Sequence, residues 1–72
     1  MNTLVFTLTT EHVALCDLLK LTGLASSGGQ GKVFVAAQKV KVDGHVELRK
    51  TAKIRAGQIV ECFETQIHVE KA

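Results

Sequence analysis

"SSGGQGKV", Ser26–Val33, is the stretch on which the fold turns. Taken as a phosphate loop it implies a nucleotide-binding α/β domain; taken as a helix start it implies a smaller α+β one. A Walker-type loop requires G-x-x-x-x-G-K-[ST]. Counting back from Gly31-Lys32, the first glycine belongs at position 26, which is Ser26, and Val33 stands where the magnesium-binding hydroxyl belongs. The dinucleotide pattern fails as well, because Phe34 occupies the place of its last glycine. The stretch therefore reads as a helix start. Ser27 and Gln30 have capping-box spacing, each side chain meeting the other residue's free backbone N–H. Gly28 and Gly29 carry no side chain that would keep an anion from the helix-tip amides, and Lys32 adds a charge one turn in.

Upstream, "LVFTL" (Leu4–Leu8) is a β-prone run with Leu4, Phe6 and Leu8 on one side. Thr9 or Thr10 is expected to cap a first helix over Glu11–Leu21, with Leu15, Leu18 and Leu19 as its apolar stripe and Gly23 as its stop. The second helix runs on through "GKVFVAAQ", with Gly31, Phe34 and Val35 facing the first. Its glycines and β-branched residues give it weak propensity, so packing must hold it.

Downstream, "KVKVDGHVELRK" reads as a hairpin around Asp43-Gly44. A two-residue loop sets Val42 opposite His45 and Val40 opposite Glu47. One extra loop residue pairs Val42 with Val46, Val40 with Leu48 and Lys41 with Glu47. The second register separates apolar from charged faces and is the expectation. "AKI", "GQIVEC" and "TQIHVE" supply further short strands, with turns at Ala56-Gly57 and near Glu64-Thr65. The expected order is β-α-α-β-β-β-β: an α+β domain over residues 1–72, two helices on a small, mostly antiparallel sheet.

Charge is lopsided. The net value is +2 over 72 residues, yet Lys20–Arg55 holds eight basic residues against two acidic ones, +6, and each flank carries −2. A basic middle between acidic ends suits a polyanion partner met on one face. Cys16 and Cys62 lack zinc or redox spacing and are expected as reduced, buried side chains. No basic-then-apolar leader stands at the start, and no apolar window approaches a membrane span, so a cytoplasmic location is expected. His12 and Cys16 lie four apart on the expected helix but have no further ligand at matching spacing; no metal, cofactor or catalytic constellation is legible. The terminal "EKA" lacks the Gly-Gly of a ubiquitin-like sulfur carrier.

Four motifs in order, "LCDLLKL", "SGG-x-x-K", "VKVDG" and "AGQIV", make residues 12–60 resemble the αL-motif RNA-binding domain of small-subunit ribosomal protein four, and within it the small stand-alone bacterial YbcJ-like group. The resemblance implies a non-catalytic binder of structured RNA, ribosomal or transfer RNA, acting as a monomer and associated with the ribosome. It points to Ser27, Gly28, Gly29 and Lys32 at the helix start and to Lys41, Asp43 and Gly44 at the hairpin; Gln30 is counted with the site as the capping partner of Ser27. Lys39, Arg49, Lys50 and Lys53 join them as the remaining cations of that basic surface. Three positions depart from the family pattern: Gln30 for glutamate, Gly31 for alanine, and Gln38 for the glycine that ends the second helix. Phe6, Phe34 and Phe63 lie in apolar runs and are expected in the core, so contact through backbone and shape is expected rather than base stacking. The alternative is an assembly module whose basic face meets an acidic protein.

Overall fold

Strict alternation builds the sheet. In "VKV" (β3, Val40–Val42) both valines are buried and Lys41 is exposed; in β7 (Thr65–Lys71) Thr65, Ile67 and Val69 are buried while Gln66 and His68 are partly open. Period-2 side chains of this kind make one wet and one dry face. The computed structural model describes residues 2–72.

The elements in chain order are β1 (Asn2–Leu8), β2 (Val13–Ala14), α1 (Leu15–Leu21), α2 (Gly28–Ala36), β3, β4 (His45–Val46), β5 (Lys53–Ile54), β6 (Ile59–Cys62) and β7. Five strands form the main sheet in the order β1-β7-β6-β3-β4, and β2 and β5 form a second, two-stranded one. All pairs are antiparallel except β1 with β7, where Leu4 lies against Ile67 and Phe6 against Val69. The dry face meets Leu15, Leu18 and Leu19 of α1 and Val35 of α2, in one core with Val40, Val60, Cys62 and Ile67. Two helices on a mostly antiparallel sheet are what the pattern predicts. Five strands follow the helices, the two of the hairpin and the three segments named after it, one more than the expected order shows, and β2 precedes them.

The first helix starts later than its apolar period suggests. Residues 13 and 14 pair with Ile54 and Lys53 as β2, so α1 begins at Leu15. Thr9 and Thr10 do not cap it; the Thr10 hydroxyl donates instead to the His12 carbonyl, 2.8 Å away. Its first amides find distant backbone acceptors: Leu15 N–H donates to Ala52 O (2.9 Å) and Cys16 N–H to Lys50 O (3.1 Å). His12 consequently lies outside the helix, and the two-ligand helix face expected with Cys16 does not exist. At the far end Gly23, at φ 83°, terminates α1 as its glycine predicts.

The hairpin adopts the two-residue loop, not the expected three-residue one: Val42 pairs with His45 and Lys41 with Val46, and Glu47 N–H donates to Val40 O. Asp43 and Gly44 both take positive φ, 51° and 84°, the geometry of the tight hairpin turn that Asp-Gly favours. The alternative register gains nothing here, because β4 is an edge strand with both residues exposed and no burial rewards it.

Candidate nucleic-acid interface

Three segments converge on the backbone of Cys16. Its N–H is held by Lys50 O. Its carbonyl lies against Gly31, so close that a β-carbon on that glycine would stand 2.7 Å from the oxygen. The first turn of α2 and the Lys50–Lys53 segment are thereby both fixed against the start of α1. Gly31 is buried because nothing larger fits; the departure from alanine is a packing requirement of this chain.

The tip of α2 is capped as Ser27 predicts, its hydroxyl accepting from Gln30 N–H at 3.1 Å. The reciprocal half of the box is shifted by one residue: Gln30 Oε1 accepts from Ser26 N–H, at 2.6 Å, rather than from Ser27. Among the described residues, the Gly28 and Gly29 N–H groups have no protein acceptor. These are the donors that the positive end of the helix offers to an anion. One group opposes such use. Asp17 Oδ1 lies 3.6 Å from where a Gly28 β-carbon would be, so a carboxylate borders the tip. Sequence reading did not single out Asp17; its place beside the tip follows from helix packing.

Cations surround this region unequally. Lys32, Lys50 and Lys53 are exposed, the last on β5 beside Ala14. Arg49 is exposed but engaged: its guanidinium meets Glu47 at 2.9 and 3.2 Å, and its N–H donates to the same carboxylate at 3.0 Å. Those hydrogen bonds, the side-chain one foremost, hold the Glu47 carboxyl down to about 2. The expected Lys41–Glu47 pair is not formed; Lys41 lies opposite Val46 and Glu61.

Lys39 and Lys41 stand elsewhere, bordering a pocket beside Phe63 beyond the C-terminal end of α2. Nine helical residues separate them from the tip, about 13 Å at 1.5 Å per residue. The single cationic cluster expected from the sequence is thus two clusters, one at each end of α2. Asp43 belongs to neither: its carboxylate accepts from Ile59 N–H (2.9 Å) and from Gln58 Nε2 (3.3 Å), tying the hairpin tip to β6, with Gly44 completing the turn. Phe63 corrects the aromatic reading. It is 52% exposed, while Phe6 and Phe34 pack against the core.

Among the described residues no group of three or more metal-ligating side chains occurs, and no helix is long and apolar enough to cross a membrane.

Comparison with known proteins agrees with this architecture. YbcJ of Escherichia coli (strain K12) is 61% identical over 49 residues, 68% of this chain and 70% of that one. YbcJ of Shigella flexneri matches to the same extent. The solution structure of E. coli YbcJ, described as revealing an αL motif involved in RNA binding, superposes with a TM-score of 0.73 at 48% identity, over 97% of this chain and 90% of that one. A family model described as S4 domain matches residues 6–70, wider than the 12–60 carried by the sequence motifs. Matched to that model over nearly its whole length, the chain belongs to the S4 domain family.

Proposed function

We propose that this protein binds structured RNA, ribosomal or transfer RNA, without catalysis, by holding phosphates on the α2 tip and the neighbouring lysines. One observation carries the reading: among the described residues the Gly28 and Gly29 amides have no protein acceptor, and their helix packs through Gly31 on Cys16, whose N–H is held by Lys50 O. Backbone N–H groups supply fixed geometry and the lysines supply charge, a pairing suited to phosphate. Ser27 and Gln30 hold the tip in shape, and Lys32, exposed one turn in, adds its charge. Lys50 and Lys53 meet the adjoining backbone, and Arg49 uses the donors that Glu47 leaves open. Lys39 and Lys41 extend the contact past the other end of α2, with Asp43 and Gly44 fixing the hairpin beneath them. The E. coli relative, described by its αL motif as RNA-binding, supports the same assignment.

If about four cations each neutralise one phosphate, log affinity falls against log salt with a slope near −3 to −4. Replacing Lys50 and Lys53 together by glutamate should lower affinity for a folded ribosomal RNA fragment and flatten that slope by about two. Unchanged binding by the folded double variant refutes the surface. Retention by an acidic protein but not by RNA would instead favour the assembly reading.

A further inference from the structure

The β6–β7 turn is built from residues that do not suit it. Cys62 pairs with Thr65, so Phe63 and Glu64 alone make the corner, both at left-handed φ, 50° and 59°. Glycine or asparagine takes such angles readily; a bulky residue does not. The ring held there is half exposed and stands edge-on to Phe34, centroids 4.8 Å apart and planes at 90°. Phe34 packs on the core, so an anchored inner ring fixes an open outer one. Beside Phe63 lies a shallow pocket of about 170 Å³, bordered by Lys39 and Lys41 and by Glu61 and Glu64. Backbone strain that holds an aromatic in water at a pocket bordered by two lysines points to a ligand with a π-face and a negative backbone.

We propose that Phe63 is a stacking platform for one unpaired nucleobase of the bound RNA, with Lys39 and Lys41 on the phosphates either side of it. Glu61 and Glu64 keep phosphate out of the pocket itself and accept from the N–H groups on the edge of the base. This rests on the RNA reading above and adds a mode of recognition to it. The α2 tip engages the paired backbone, and the Phe63 pocket takes a nucleotide that has left the stack.

The test uses two RNA hairpins with the same stem, one carrying a single bulged 2-aminopurine nucleotide and one fully paired. Base–aromatic stacking is worth about tenfold in affinity. The natural protein should bind the bulged hairpin about tenfold more tightly and quench the 2-aminopurine fluorescence. Phe63→Asn removes the ring while suiting the left-handed turn, so the fold is kept. It should lose both the preference and the quenching, yet bind the paired hairpin with an unchanged salt slope. A Phe63→Asn protein that keeps the preference overturns the platform alone, as does equal, unquenched binding of both hairpins by the natural protein. Binding to neither hairpin overturns the RNA reading itself and the platform with it.

Discussion

Gly31→Ala is the substitution that most directly tests how the interface is assembled. Alanine is the better helix former by up to about 1 kcal/mol, so an isolated α2 would gain. In this fold the new β-carbon meets Cys16 O at 2.7 Å, Cys16 Cα at 3.1 Å and Cys16 C at 3.3 Å. Ordinary contact begins at 3.4 Å, so the oxygen contact alone is short by 3.4 − 2.7 = 0.7 Å. All three atoms are backbone, so no side chain can swing aside, and α1 and α2 must separate. Overpacking of this kind costs about 1–3 kcal/mol. Set against the full propensity gain, the net loss is up to about 2 kcal/mol, or up to about 16 °C in melting temperature for a domain of this size. Thermal denaturation by circular dichroism measures it, with Gly29→Ala as the control. That glycine is exposed and its added β-carbon would meet only Ser27 Oγ at 3.7 Å, so its melting temperature should hold or rise. Hydrogen exchange adds a second readout, because displacement of Cys16 weakens its N–H bond to Lys50 O and should speed exchange there. A Gly31→Ala protein that melts at or above the natural one, with Cys16 equally protected, refutes the close-contact account.

Three further outcomes are expected. Gln38 sits at φ 62° and closes α2 with Gln38 N–H on Val35 O and Lys39 N–H on Phe34 O, the glycine-type helix stop made without glycine; Gln38→Gly should therefore raise stability by up to about 1 kcal/mol in a denaturant melt. Glu47, held at about 2 by Arg49, contributes stability that is present above its ordinary value of 4.5 and lost as pH falls through about 2. The melting difference between the natural protein and Glu47→Gln should thus be small but steady above pH 4.5, vanish near pH 2, and shrink with salt, as solvent-screened pairs do. Asp17→Asn removes the carboxylate beside the α2 tip and should tighten RNA binding about two- to fivefold, the 0.3–1 kcal/mol scale of charge at a helix end, read by titration at low salt; weaker binding would place the phosphate elsewhere.

Much of the site was legible because its determinants are local. The Ser27 cap needs only Gln30 N–H three residues on, and the stop at Gly23 follows from the glycine itself, whereas the stop at Gln38 was implied only by the family resemblance. The errors share the opposite property. Nothing near Glu11 reveals that Leu15 and Cys16 will receive their acceptors from Ala52 and Lys50, which is what moves the start of α1. The Asp-Gly signal identified the hairpin, but choosing its register from the pattern assumed that β4 buries one face, and it buries neither. Phe63 lies in an apolar run and reads as core; pairing of Cys62 with Thr65 puts it instead at the corner of a turn.

By itself, the amino-acid sequence determined the inward set Leu15, Leu18, Leu19, Val35 and Val40, the position of most turns, and the excess of cations in the middle of the chain. Periodicity, capping and charge act between residues a few places apart, so they are written in the order of the letters. The tertiary structure alone decided that the cations form two groups along α2, that Asp17 shares the helix tip, and that an aromatic ring stands open beside Lys39 and Lys41. Each of those depends on which distant segment supplies an acceptor, a carbonyl wall or a cover, and no local pattern encodes the identity of a neighbour reached only by folding.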